Sequence, residues 1–159
     1  VRLDTLRASW LIYGDGFRQG FARSAVKRVF DIVAASVLLV VTAPIMLLAA
    51  IAIAIESGFP VIYRQERVGQ GGRTFKVLKF RSMRLDAEAD GKPRWAGSND
   101  DRITRVGHFI RKTRIDELPQ IFNVLHGDMS FVGPRPERPF FVDQLTDQIP
   151  FYAARHSVK

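Results

Sequence analysis

Asp116 and Glu117 stand side by side in the stretch RKTRIDELPQIFNVLHGDMSFVGPRP (111–136), directly after the cations Arg111, Lys112 and Arg114. Downstream, Leu118, Ile121, Phe122 and Leu125 recur at i, i+3, i+4 and i+7, which predicts a helix. Asp116 precedes that repeat and suits its N-cap, with Pro119 tolerated in the first turn. In that place it would meet unbonded backbone N–H groups and the positive end of the helix dipole, which predicts an ionised carboxylate. Such a group can be a cap alone, a ligand for Mg²⁺, or a nucleophile that takes a phosphoryl group covalently. The residues themselves leave all three open. Glu117 points elsewhere on the turn, but could join Asp116 at a metal placed off the helix end.

Pro134-Arg135-Pro136 closes the same stretch. Prolines on both sides stiffen the backbone around one guanidinium. Rigid presentation of arginine suits bidentate phosphate binding, and an ordinary surface turn gives the same pattern. Other chemistries find no support. The chain has no Cys, so no thiolate nucleophile, disulfide or cysteine zinc site. There is no Gly-x-Ser-x-Gly, and His108, His126 and His156 show no metal spacing. No aromatic-basic pattern matches a nucleic-acid-binding signature, so nucleic acid is not an expected partner.

The elements that must hold these groups begin in a hydrophobic run. Ile32 to Ile55 carries no charged residue, and about 20 apolar residues suffice to cross the hydrocarbon core. Pro44 lies in its middle, where it removes a backbone hydrogen bond and crowds the preceding turn. Both flanks are basic: Arg18, Arg23, Lys27 and Arg28 before, and Arg64, Arg67 and Arg73 after. The positive-inside rule places both flanks in the cytoplasm, which predicts a helix that breaks at Pro44, dips into the membrane and returns. Lys27 and Asp31 lie one helical turn apart and are expected to pair at the membrane interface.

Beyond the membrane, two strands joined by the Gly-rich VGQGGR turn are predicted over 60–69 and 73–83. That glycine cluster is not a phosphate-binding P-loop, since no Gly-Lys-Ser/Thr follows it. Residues 84–101 are polar; Asp86, Glu88 and Asp90 alternate there, and read as a solvated loop rather than metal ligands. Residues 103–112 place Ile103, Val106, Phe109 and Ile110 at helical spacing, which predicts an amphipathic helix for the membrane surface or the domain's own core. Residues 1–25 read as a linker or the tail of a preceding region, and 26–159 as one domain. The chain begins with Val1, and both ends are expected to be cut from a longer protein. A net charge of +8 over 159 residues suits an anionic partner such as phosphate or an acidic lipid surface.

Taken in order, KRVFD (27–31), the hydrophobic segment with its central proline, KFRSM (79–83), DELPQ (116–120) and GDMSFVGPRP (127–136) resemble the bacterial sugar transferases, or monotopic phosphoglycosyl transferases. The resemblance runs from about Ser24 to Lys159. FRQGFARSAVKR is similar to the subgroup tied to exopolysaccharide synthesis and exosortase-associated systems. The resemblance implies an α/β, membrane-associated (monotopic) domain with an N-terminal Pro-broken re-entrant helix, interfacial amphipathic helices and a small β-hairpin. It implies transfer of a sugar-1-phosphate from a UDP-sugar to polyprenyl (undecaprenyl) phosphate, with Mg²⁺ as cofactor. The site would face the cytoplasm at the bacterial inner membrane. Asp116 would be the nucleophile, and Glu117 would help hold the metal or position the site. Arg135 would bind phosphate, with Lys79 and Arg81 of KFRSM and Arg114 as further phosphate-binding candidates. Two departures stand out. Many family members have Ser where this chain has Ala43, leaving Thr42 as the substitute. The family also continues past a position like Lys159 with a Pro-Gly-x-Thr-Gly-Trp segment, so a chain ending there is expected to be incomplete at its C-terminus. The rival expectation is a membrane-anchored basic interaction module without chemistry, for which Asp116 would only cap.

Overall fold

A computed structural model describes residues 20–87, 100–149 and 152. Most of the N-terminal linker, Glu88, Asp90 and His156 lie outside the described residues. The first element is helix α1, Phe21–Ser57, 37 residues long. At 1.5 Å per residue it measures about 55 Å, well beyond the ~30 Å hydrocarbon core. It is long and apolar enough to cross a membrane, yet only 11% of its most apolar window is buried. A core helix of a soluble protein would hide most of that surface. Here Asp31, Ala35, Ala49 and Ile53 alone are buried.

Pro44 lies inside α1, and the helix continues on both sides of it. Proline removes one backbone donor and crowds the preceding turn, which is where such a helix bends. Thr42, the substitute expected near Ala43, donates from Oγ1 to the Leu38 carbonyl at 2.7 Å.

The hairpin follows as expected. Strand β1, Ile62–Val68, pairs antiparallel with β2, Thr74–Phe80, in a register from Ile62↔Phe80 to Val68↔Thr74. A 3₁₀ turn, Gln70–Gly72, connects them, with Gly71 at φ 66° and Gly72 at φ 75°, values that glycine adopts without strain. Past β2, the chain runs back against the start of helix α2, Arg105–Lys112. A Cβ on Gly107 would lie 2.0 Å from the Ser82 carbonyl oxygen, so this close approach requires glycine. Thr104 caps α2 by accepting from Gly107 N at 2.9 Å. Helix α2 turns Ile110 into the domain and leaves Phe109 exposed. Its apolar residues therefore divide between the domain's own core and the surface.

A second 3₁₀ turn, Ile115–Glu117, leads to helix α3, Gln120–His126. Helix α4, Pro139–Gln148, starts on a proline whose missing N–H costs nothing at a first turn. Two clusters of buried apolar residues hold the body together. One joins Ala49 and Ile53 of α1 to Phe80 and Ile110; the other joins Ala35 of α1 to Ile121 and Val124 of α3.

Both ends of α1 are tied to this body by polar contacts. Arg28 donates to the Val124 and Leu125 carbonyls at 2.6 Å each, near the end of α3, where free carbonyls favour a cation. Gly127 ends that helix at φ 100°, with the Arg28 guanidinium packed against it. At the other end, Glu56 accepts from the backbone N–H groups of Arg105 and Val106 at 2.9 and 3.0 Å, capping α2 from outside.

Candidate active site

The two adjacent carboxylates sit in the 3₁₀ turn between α2 and α3, not at a helix N-cap. Arg114 precedes them at φ 61°, ψ 16°, a left-handed conformation that side-chain-bearing residues rarely adopt and that turns the chain sharply. Pro119 stands at the N-cap of α3 instead, fully buried. The expected cap role for Asp116 is therefore corrected.

Asp116 is 8% exposed, and its Oδ1 is buried with no hydrogen-bond partner. Desolvation raises its pKa above the ordinary 3.8, with the charge of Glu117 adding to the rise against the opposing pull of Lys79, Arg111 and Arg114. The expected stabilisation of its charge by a helix end is thus replaced by a penalty for burial. Glu117 has the opposite surroundings. Its Oε1 lies 2.7 Å from Arg135 Nη2, 3.4 Å from Lys79 Nζ and 3.5 Å from Arg114 Nη1. Burial by itself would raise its pKa, but Lys79 and Arg135, then Arg114, outweigh that and hold it below the ordinary 4.5. Oδ1 of Asp116 is left without a partner while the neighbouring Glu117 gathers three cations.

Three of the four expected phosphate-binding cations, Lys79, Arg114 and Arg135, thus converge on one oxygen from β2, the turn and the 127–136 loop. Arg81 does not join them. It is 6% exposed, and its Nη2 donates to the Ser57 carbonyl at 2.7 Å, the Ser57 hydroxyl at 2.8 Å and the Gly58 carbonyl at 2.6 Å. Strand β2 ends at Phe80, so Arg81 leaves the strand and covers the carbonyl end of α1. Arg81 thus holds the end of α1 through Nη2, while its Nε and Nη1 are buried without a hydrogen-bond partner. Asp31 is 3% exposed, and its Oδ1 accepts from Ser130 Oγ at 3.0 Å and Phe131 N at 3.2 Å. Pro44 lies on α1, outside this cluster.

Sequence reasoning passed over Asn123. It is buried on α3, accepts from Leu78 N at 2.9 Å, and donates to the Lys76 carbonyl at 2.8 Å. It thereby serves β2 as a third strand would, and fixes the strand that carries Lys79. A polar residue beside the buried positions Ile121 and Val124 was the available signal. Arg67 was likewise read only as a flank charge. Its Nη1 donates to the Pro136 carbonyl at 3.1 Å, and Val68 N donates to the Glu137 carbonyl at 2.9 Å, so β1 holds the far end of the proline-flanked loop.

Among the described residues, no group of three or more His, Cys, Asp or Glu could hold a metal ion. Mg²⁺ is commonly held by one or two carboxylates together with substrate phosphates and water. The unpartnered Oδ1 of Asp116, next to Glu117, fits that mode.

Comparison with known proteins identifies the family. The family described as bacterial sugar transferase matches residues 22–159. A Bacillus subtilis protein, provisionally named an undecaprenyl-phosphate N-acetylgalactosaminyl 1-phosphate transferase, is 53% identical over 131 residues, covering 82% of this chain and 73% of its own. An Aeromonas hydrophila UDP-N-acetylgalactosamine-undecaprenyl-phosphate N-acetylgalactosaminephosphotransferase is 52% identical over 134 residues, 84% of this chain and 31% of its own. A Caulobacter vibrioides UDP-glucose:undecaprenyl-phosphate glucose-1-phosphate transferase is 48% identical over 133 residues, 84% of this chain and 49% of its own. The chain thus spans less than half the length of the last two. With the family match running over nearly the whole chain, this protein belongs to the bacterial sugar transferases.

Proposed function

We propose that this chain carries the site at which a sugar-1-phosphate passes from a UDP-sugar to polyprenyl (undecaprenyl) phosphate, with Asp116 as covalent carrier. A carboxylate oxygen of Asp116 attacks the β-phosphorus of the donor. The bond from that phosphorus to the bridging oxygen breaks, and UMP leaves with the electron pair. An oxygen of polyprenyl phosphate then attacks the same phosphorus. The aspartyl bond breaks, Asp116 is regenerated, and polyprenyl diphosphate sugar departs. The observation that carries this reading is the unpartnered, buried Oδ1 of Asp116 beside three converging cations. A carboxylate oxygen stripped of solvent and of hydrogen bonds keeps its electron pairs available for attack. Lys79, Arg114 and Arg135 would bind and orient the diphosphate, since phosphoryl transfer depends on positioning and charge neutralisation. Bound Mg²⁺, held by Asp116 and Glu117 with the donor, would supply further neutralisation of the diphosphate.

We read α1 as a re-entrant membrane segment, with the site at the cytoplasmic face of the bacterial inner membrane. Support comes from the two ends of α1, which bind the same small body through Arg28 and Glu56, and so favour one side for both. A site at that surface can meet a soluble donor and a lipid acceptor together. The product fits the first step of exopolysaccharide or other surface-glycan assembly.

The test uses the full-length protein in nanodiscs with Mg²⁺, polyprenyl phosphate and a panel that includes UDP-N-acetylgalactosamine and UDP-glucose. UMP release, and a sugar-phosphate adduct by intact mass, should both vanish in Asp116→Asn. Release that survives Asp116→Asn would remove Asp116 as nucleophile. No release with any donor, from folded protein, would favour the non-catalytic module.

A further inference from the structure

Arg135 sits in a segment, residues 129–136, that is neither helix nor strand. Its reach to Glu117 must therefore be set by whatever holds that segment. Two anchors bracket it. On the near side, the Asp31 carboxyl accepts from Ser130 Oγ at 3.0 Å and Phe131 N at 3.2 Å. On the far side, Val68 N bonds to the Glu137 carbonyl at 2.9 Å and Arg67 to the Pro136 carbonyl at 3.1 Å. Between the anchors, Pro134 and Pro136 lock their own φ angles and restrict the residues before them. A shift at Ser130–Phe131 reaches Arg135 across Val132, Gly133 and Pro134 alone, a path of three residues. Burying a carboxyl is unfavourable unless its oxygens are bonded, and Asp31 is 3% exposed on a helix that otherwise offers mostly apolar surface. A residue kept there at that cost is placed for its partners.

We propose that Asp31 is a positioning residue for Arg135: through Ser130 and Phe131 it aims the guanidinium at the diphosphate seat. The long helix thereby aligns the phosphate-binding arginine through the loop that carries it. This rests on the reading of Arg135 as a phosphate ligand. Asp31 touches no substrate in this scheme, so its effect must run through Arg135.

A binding cycle tests this without needing turnover. The full-length protein in nanodiscs is titrated with UDP and Mg²⁺ as wild type, Asp31→Ala, Arg135→Ala and the double variant, with UMP release measured alongside. Independent residues multiply their effects, and residues acting as one do not. Each single variant should weaken UDP binding roughly tenfold, and the double should stay within about twofold of either single. Asp31→Asn keeps the Oδ1 acceptor and should bind within about threefold of wild type. A double variant weakened by the full product, roughly a hundredfold, overturns the proposal. So does Asp31→Asn behaving like Asp31→Ala, which would point to charge rather than to the hydrogen bonds. Should Asp31→Ala fail to fold, Ser130→Ala takes its place in the cycle, with the same criterion at a smaller effect. UDP binding with no UMP release would defeat the proposed reaction and leave the cycle able to judge Asp31. UDP binding unaffected by Arg135→Ala, or no binding at all, would defeat the phosphate reading and this proposal together.

Discussion

Replacing Asp116 by Asn should nearly abolish turnover and make the protein more stable. The side chains have the same shape, so packing at a site only 8% exposed is kept. The variant no longer places a charge where burial opposes one. An unsatisfied buried polar atom costs about 1–3 kcal/mol, and the amide still leaves part of that in place, so a gain near the low end, about 1 kcal/mol at pH 7, is expected. For a domain of this size that is a rise in Tm of roughly 3 °C. The pH dependence gives the sign. The folded pKa of Asp116 is raised above 3.8, so the folded state holds its proton more tightly than the unfolded state. The associated stability is fully present below pH 3.8 and is lost as pH rises through the folded value. The gap favouring Asp116→Asn should therefore be small near pH 4, widen as pH rises and then level off. Loss of a covalent nucleophile lowers turnover by about 10⁴-fold or more. Thermal melts of the nanodisc-embedded protein between pH 4 and 8, beside UMP release, check both halves. A variant that melts below wild type at pH 7 would show that the carboxylate is stabilised by its surroundings, contrary to the burial account. Turnover within tenfold of wild type would refute its role as nucleophile.

Glu117→Gln should show the reverse pH trend: the folded pKa of Glu117 is depressed, so its contribution is present above pH 4.5 and fades as pH falls through the folded value. Because Arg114 and Arg135 are largely exposed, the loss at pH 7 should stay below about 1 kcal/mol, measured by thermal melts, while UMP release falls steeply. Arg81→Ala should reduce the yield of folded protein, since three acceptors at the end of α1 lose a buried charged donor, at about 3 kcal/mol or more; the donor KM of what does fold should stay near wild type. Chelation of Mg²⁺ should stop UMP release and added Mg²⁺ restore it. The melting temperature without donor should not move, since the proposed metal site is completed by the donor's phosphates.

The parts of this structure that could be read from sequence are those governed by local periodicity. The charge-free run gave α1, and alternation around a glycine cluster gave the hairpin, because each is dictated by neighbouring residues. The errors arise where tertiary contact decides. Asp116 looked like a cap because the apolar repeat after it is helical. The left-handed Arg114 starts a tight turn one residue earlier, and nothing in an arginine's chemistry announces that conformation. Lys79 and Arg81, two apart, would share a face of a strand. The strand stops at Phe80 between them, which sends one to Glu117 and the other to the end of α1. Asn123 was passed over and Asp31 was read only against its own helix, because their partners lie 45 and 99 residues away along the chain.

Both clusters of buried apolar residues among the described residues draw on α1: Ala49 and Ile53 in one, Ala35 in the other. Anchor and catalyst are therefore one folding unit. Trimming residues 21–57 to obtain a soluble enzyme would remove the inner wall of both clusters, the cation at the end of α3 and the cap of α2 at a stroke. What remained would be a hairpin and short helices with little to close around. Solubilised forms of this protein should instead be sought by recolouring the outward face of α1, at residues such as Val40, Val41, Leu47 and Leu48, whose side chains touch lipid in the proposed topology and leave the inner wall intact.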